Sequence, residues 1–104
     1  MVRNSAGPTE AWAVVVAGGT GSRFGGAKQF VELAGRSLVD WSLEVARAVC
    51  AGVVLVVPAE RVADPDPAWK AERVVAGGAT RSASVRSGLD AVPPSAGVIA
   101  VHDA

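Results

Sequence analysis

A short apolar run that ends in a glycine-rich loop is the feature that most constrains how this chain folds. Residues Ala11–Ala17 are continuously apolar, and the run stops at Gly18-Gly19. Such a run is typical of a strand that is buried on both faces of a parallel sheet. The glycines that follow let backbone amides approach a polyanion, because no Cβ obstructs them. We therefore expect a buried strand that leads into a phosphate-binding loop.

The charges of this loop support the same interpretation. The loop, Gly18–Lys28, carries two cations, Arg23 and Lys28, and no acid occurs between Ala17 and Val31. Cationic side chains and bare backbone amides are the groups that bind phosphates in proteins. The loop therefore predicts a site for a triphosphate, and the alternative is a plain turn between a strand and a helix.

Two common phosphate-binding loops fit the sequence poorly. In a P-loop the lysine is preceded by Gly and followed by Ser or Thr, whereas Lys28 stands between Ala27 and Gln29. In a dinucleotide fingerprint the third fixed position is a glycine, and here it is Phe24. The loop therefore indicates a different class of nucleotide-binding protein.

Beyond the loop, strand and helix patterns alternate along the chain. The expected elements are a helix that begins at Ser37 with a capping box to Asp40, strands at Val53–Val57 and Arg73–Ala76, a helix over Ser82–Val92 and a strand at Val98–Val101. This alternation favours right-handed crossovers and a mostly parallel sheet with flanking helices, that is, a Rossmann-like α/β fold.

Helical spacing also predicts which side chains face the core. In the first helix these are Leu38, Trp41, Val45, Ala48 and Val49, and in the second they are Val85, Leu89 and Val92. Ser82 is expected to cap the second helix, and His102 is expected to face the interior of the sheet.

The last predicted strand leads directly into His102, Asp103 and Ala104. Ligands of open α/β sheets bind just past the carboxyl ends of the strands. We therefore expect a domain that is truncated on its functional edge. Residues 1–10 are expected to form a flexible tail, and residues 11–104 the N-terminal nucleotide-binding part of a single domain.

The composition excludes several classes of function. Ten basic residues balance ten acidic ones, so no net charge favours nucleic acid or an anionic membrane. Cys50 is the only cysteine and cannot form an internal disulfide, and no His/Cys cluster has zinc spacing. The apolar runs are too short to span a membrane, so the expected location is the cytoplasm.

Three segments, taken together, resemble the 2-C-methyl-D-erythritol 4-phosphate cytidylyltransferases. They are Ala17–Phe30, Gly77–Val85 and Val101–Ala104, and they occur in that family's order. The resemblance implies the fold of the nucleotide-diphospho-sugar transferases. It also implies a Mg²⁺-dependent transfer of CMP from CTP to methylerythritol phosphate in the non-mevalonate isoprenoid pathway, by a protein that is a homodimer at full length.

The same resemblance assigns roles to individual residues. Arg23 and Lys28 match the two catalytic cations that stabilise the transition state. The positions that match nucleotide contacts are Ala17, Gly18, Gly19, Gly21, Gly78, Ser84 and Ala104. Asp103 matches a residue near the acceptor substrate or the metal. The sequence departs from the family where Ala27 replaces a usual proline and Ala79 a frequent aspartate, which bears on substrate detail.

Three alternatives remain open on the sequence alone. Ribitol-5-phosphate cytidylyltransferases share the style of the glycine loop, and molybdopterin guanylyltransferases have a similarly short loop. A nucleotide-binding module without catalysis is the alternative from a different class. The retention of both Arg23 and Lys28 favours an enzyme, because binding alone could dispense with one of them. Arg81 could either reach a phosphate or lie on the surface.

Overall fold

The computed structural model describes residues 10–17, 32–33, 36–67 and 69–104. Within these ranges there are six strands and three helices. The strands are β1 (Glu10–Val16), β2 (Glu32–Leu33), β3 (Arg36–Ser37), β4 (Gly52–Val57), β5 (Arg73–Ala76) and β6 (Ala96–Asp103). The helices are α1 (Leu38–Val49), α2 (Ala59–Ala63) and α3 (Arg81–Asp90).

Four of the strands form one parallel sheet in the order β5-β4-β1-β6. The short strands β2 and β3, which the apolar pattern did not predict, form a separate antiparallel pair. Helices α1 and α3 both pack against the central strands β1 and β4. The predicted α/β fold with a mostly parallel sheet and flanking helices is confirmed.

The core lies on both faces of the sheet because successive side chains of a strand point in opposite directions. On β1, Ala13 and Val15 pack in a cluster with α1, whereas Trp12, Val14 and Val16 belong to the cluster on the other face. Every residue of β4 is buried. The two apolar runs therefore form the two-sided buried strands that the sequence predicts.

The N-terminus of α1 has the predicted capping box. The Asp40 amide donates to Ser37 Oγ (3.1 Å), and the Ser37 amide donates to Asp40 Oδ2 (3.3 Å). These two bonds satisfy amides that the first turn of a helix leaves without an intrahelical partner.

The predicted inner face of α1 is wrong. Its buried residues are Val39, Leu43 and Ala46, whereas Val45 and Val49 are 65% and 76% exposed. Both sets recur at helical spacing, so periodicity alone did not distinguish them. The contacts of α1 with β1 and β4 decide which side is buried.

Helix α3 approaches the sheet through small residues. Its buried positions are Ser84 and Gly88, and a Cβ on Gly88 would overlap with Val14. Val85 is half-buried against the same cluster, but Leu89 is exposed, so the predicted inward position of Leu89 is wrong. Because the close contact is made by the small residues Ser84 and Gly88, the larger Leu89 side chain lies away from the sheet.

Candidate functional site

The carboxyl ends of the four parallel strands form one continuous edge. Three residues that directly follow strands donate their backbone amides to carbonyl oxygens of the adjacent strand. Ala17 donates to Val56, Gly77 to Val57 and Ala104 to Val16 (N···O 2.7, 2.8 and 3.0 Å). Two of these, Ala17 and Ala104, were predicted as nucleotide contacts. They directly follow adjacent strands, because β1 pairs with β6.

The glycine-rich loop contains most of the residues predicted to bind phosphate. The two catalytic cations, Arg23 and Lys28, and the glycines Gly18, Gly19 and Gly21 lie outside the described residues. Ala17 is buried and is the last described residue before this segment. Ala17 therefore lies at the carboxyl end of β1, which is the edge where an α/β sheet binds its ligands.

The turn after β5 brings Gly78 onto the first turn of α3. The Gly78 amide donates to Ser84 Oγ (3.1 Å), and Ser84 is fully buried. A Cβ on Gly78 would overlap with Ala83, so a larger residue does not fit this approach. In this arrangement the buried Ser84 side chain stabilises the turn by accepting a hydrogen bond from the Gly78 backbone amide. Their predicted contact with the base stays a prediction.

Thr80, and not Ser82, caps α3. The Ala83 amide donates to Thr80 Oγ1 (3.0 Å), and Ser82 is exposed in the first turn. The predicted cap at Ser82 is therefore wrong by two positions. A Thr followed three residues later by Ala lacks the acidic or amide side chain of a capping box, so the sequence carries no capping-box signal at Thr80.

Asp103, the predicted substrate or metal residue, forms a bidentate ion pair with Arg81. Arg81 Nε donates to Asp103 Oδ1 and Oδ2 (both 3.1 Å), and Arg81 Nη2 donates to Oδ2 (3.0 Å). The hydrogen bonds to Asp103 and its negative charge raise the pKa of Arg81 above its ordinary value. The sequence alone does not determine the role of Arg81, because no local pattern links two residues that are 22 positions apart.

The expected position of His102 is wrong. His102 is exposed, and its Nε2 lies 3.4 Å from Ser42 Oγ on α1. It therefore points to the α1 face of the sheet, whereas its neighbour Asp103 points to the α3 face, as the alternation of a strand requires. Strand β6 lies at the edge of the sheet, where the described residues leave the His102 side chain exposed.

The described residues provide one carboxylate that fits the expected Mg²⁺. Among them, no group of three or more His, Cys, Asp or Glu could hold a metal ion. However, Mg²⁺ that binds together with a nucleotide needs only one or two carboxylates, because phosphate oxygens and water supply the other ligands. Asp103 is an exposed carboxylate at the carboxyl edge and fits this smaller role. Over the same part of the chain, no helix is long and apolar enough to cross a membrane.

The chain matches a known protein family. Residues 11–104 match the family described as IspD, 2-C-methyl-D-erythritol 4-phosphate cytidylyltransferase. The match includes the glycine-rich loop, the turn after β5 and the end of β6, which are the three segments that carried the resemblance.

Individual relatives agree with the family match. The 2-C-methyl-D-erythritol 4-phosphate cytidylyltransferase of Xanthomonas campestris pv. campestris strain B100 is 40% identical over 106 residues, which covers 89% of this chain and 39% of the relative. A protein of Dinoroseobacter shibae named bifunctional enzyme IspD/IspF is 43% identical over 98 residues, or 88% of this chain and 24% of the relative. The chain thus spans about two fifths or less of the length of these relatives.

A solved structure shares the fold. The 4-diphosphocytidyl-2C-methyl-D-erythritol synthase of Anaerococcus prevotii DSM 20548 superimposes with a TM-score of 0.73 over 91% of this chain and 43% of that protein. The two sequences are 21% identical, so this likeness concerns the architecture alone.

Proposed function

This chain belongs to the 2-C-methyl-D-erythritol 4-phosphate cytidylyltransferase family, and from that premise we propose that the protein carrying it is a nucleotidyltransferase. The reaction is the transfer of CMP from CTP to 2-C-methyl-D-erythritol 4-phosphate. Its products are 4-diphosphocytidyl-2-C-methyl-D-erythritol and pyrophosphate, and its place is the non-mevalonate route to isoprenoid precursors.

The proposed chemical step is a direct displacement at phosphorus. A phosphate oxygen of the acceptor attacks the α-phosphorus of CTP, and the bond from that phosphorus to the oxygen bridging to the β-phosphorus breaks. Pyrophosphate leaves with the electron pair of that bond. The step needs no covalent intermediate on the protein, and its catalysis rests on positioning and on the stabilisation of charge.

Each part of the proposed site has a separate task in this step. Arg23 and Lys28 are the cations that stabilise the charge growing on the phosphate oxygens, where fixed positive charges have their largest effect. The glycines of the loop let the triphosphate approach the backbone. Gly78 and Ser84 are the proposed contacts of the base, and Asp103 helps to hold the acceptor substrate or lies near the metal. Mg²⁺, when bound, would offset the charge of the triphosphate beside Asp103.

One observation supports this proposal above the others. Ala17, Gly78, Asp103 and Ala104 all follow or end strands of one parallel sheet at its carboxyl edge. The same edge is where open α/β sheets bind nucleotides. A cytoplasmic location, which the short apolar runs of the sequence favour, belongs to the same proposal. So does a homodimer of the full-length protein, which rests on the family resemblance.

The substitution Lys28→Ala tests whether the protein is an enzyme of this kind. We expect the rate of pyrophosphate release from CTP, Mg²⁺ and methylerythritol phosphate to fall about 100-fold or more, since the lost cation acts mainly on the transition state. The affinity for CTP, measured by calorimetry, should fall much less. The assay uses the product of the complete reading frame beside the 104-residue chain.

The other lysine of the chain provides a matched control. Lys70 is exposed in the loop before β5, so Lys70→Ala should leave the rate unchanged. Turnover with ribitol phosphate or GTP in place of the expected substrates would move the protein to a sister family. Loss of CTP affinity alone in Lys28→Ala, without any turnover by the wild type, would favour a binding module without catalysis.

A further inference from the structure

The ion pair of Arg81 and Asp103 joins distant parts of the sheet. Arg81 is the first residue of α3, which follows β5 at one edge of the sheet, and Asp103 is the last residue of β6 at the other edge. Strands β4 and β1 lie between them. The pair therefore connects the turn that contains Gly78 with the strand end beside Ala17.

Stability of the fold is a poor explanation for this pair. The two side chains are 60% and 58% exposed, and exposed ion pairs contribute little to the free energy of unfolding. A cation in the first turn of a helix also opposes the helix dipole, which favours acids at that end. The first turn of α3 contains no acid that would compensate. Arg81 thus occupies a position where the helix itself gains nothing from an arginine.

The geometry of the pair instead controls the orientation of the carboxylate. The planar guanidinium contacts both oxygens of Asp103 through Nε and Nη2, and a bidentate contact restricts the carboxylate to one plane. An ionised carboxylate has about four acceptor positions, so Asp103 can still accept a hydrogen bond from a ligand while Arg81 holds it.

We propose that Arg81 is a positioning residue that orients the Asp103 carboxylate to accept hydrogen bonds from the hydroxyl groups of the acceptor. This inference rests on the proposed function, in which Asp103 helps to hold that substrate. Arg81 acts through Asp103 and from the helix that also supports the Gly78 turn. The edge of the site is therefore preassembled before the acceptor binds.

The substitutions Arg81→Gln and Arg81→Lys test the proposal in the complete protein. We expect Arg81→Gln to raise the KM for methylerythritol phosphate about tenfold, as for the loss of one charge-assisted contact, and to leave the KM for CTP nearly unchanged. Arg81→Lys keeps the charge but lacks the planar fork, so it should recover only part of the loss. The affinity for methylerythritol phosphate, measured by calorimetry, should weaken in parallel with the KM.

A double-mutant cycle with Asp103→Asn distinguishes action through Asp103 from direct contact with substrate. If Arg81 acts through Asp103, the double variant should have the same acceptor KM as Asp103→Asn alone. Effects that multiply would overturn the proposal, since Arg81 would then contribute independently. Equal rises in both KM values, together with a lower thermal midpoint, would also overturn it by indicating a structural role.

Arg86 is the matched control, because it is an exposed arginine on the same helix. Arg86→Gln should leave both KM values unchanged. If the wild type is active and Arg81→Gln has the same KM values as Arg86→Gln, this inference is refuted and the proposed function stands. A folded wild type without any turnover would refute the proposed function, and this inference with it.

Discussion

Gly88 is the single residue on which the packing of α3 depends most directly. A Cβ at this position would overlap with Val14 Cγ1 and lie 2.9 Å from Val56 Cγ2. Both valines are stiff, fully buried and central in the sheet, so neither can move aside easily. We expect Gly88→Ala to lower the free energy of unfolding by about 1–2 kcal/mol, because overpacking outweighs the gain in helix propensity. Urea unfolding of the 104-residue chain measures this.

An exposed position on the same helix is the control for this substitution. Arg86→Ala introduces the same methyl side chain without a close neighbour in the core, and should change stability by no more than about 0.5 kcal/mol. A Gly88→Ala variant as stable as the wild type would show that α3 can shift away from the sheet without loss.

At the scale of elements, Glu72, the residue just before β5, connects α1 with β4. Its Oε1 accepts from the Val53 amide (2.8 Å), and its two oxygens accept from Arg47 Nη1 (3.0 and 2.9 Å). Desolvation by itself raises the pKa of Glu72, but the bonds from Val53 and Arg47 outweigh it, so the pKa lies below the ordinary value of 4.5. The folded state therefore favours the ionised carboxylate.

This lowered pKa predicts a specific dependence of stability on pH. The contribution of Glu72 is fully present above the unfolded pKa, near 4.5, and is lost as the pH falls through the lower folded pKa. Glu72→Gln should therefore lower the free energy of unfolding by about 0.5–1 kcal/mol at pH 7, a small value because the carboxylate is partly exposed. The difference from the wild type should shrink as the pH falls below 4.5 and through the lower folded pKa, as measured by urea unfolding at pH 7 and at an acidic pH well below 4.5.

Glu60→Gln removes the same charge from an exposed position on α2 and serves as the comparison. Its stability difference from the wild type should be close to zero at both pH values. A Glu72→Gln variant whose deficit is the same under acidic and neutral conditions would contradict the role given to the ionised carboxylate.

At the scale of the whole molecule, apolar side chains remain exposed on α1 and β6. They are Trp41, Val45, Val49, Val98, Ile99 and Val101. Within the described residues β6 is also an edge strand of the sheet. Exposed apolar surface and an open strand edge both promote association between molecules. We therefore expect the 104-residue chain to associate as its concentration rises, which sedimentation velocity would detect.

Charges on the exposed side of α1 should weaken this association. The double variant Val45→Lys/Val49→Lys places two cations there without touching the buried residues of α1, so the unfolding midpoint should be retained. The matched control is Ala59→Lys/Ala63→Lys, which has the same spacing on the exposed surface of α2. Equal association of the wild type and both variants would assign the effect to another surface.

Features that depend on neighbours in the sequence were predictable. The apolar runs around Val14 and Leu55 identified the two central strands, β1 and β4, and the pair Ser37 and Asp40 identified the start of α1. Three segments in a family's order were enough to predict that family, which the match over residues 11–104 confirms. In each case the signal is a local pattern: the side-chain period, a cap or an order of residues along the chain.

Features that depend on residues far apart in the sequence were decided only by the tertiary structure. Two apolar faces of α1 have helical spacing, and the contacts with the sheet select the one that contains Leu43. The partner of Asp103 is Arg81, 22 positions away, and no local pattern indicates that contact. Periodicity and caps specify an element because they act within a few residues, whereas the face that an element buries depends on what the rest of the chain brings against it.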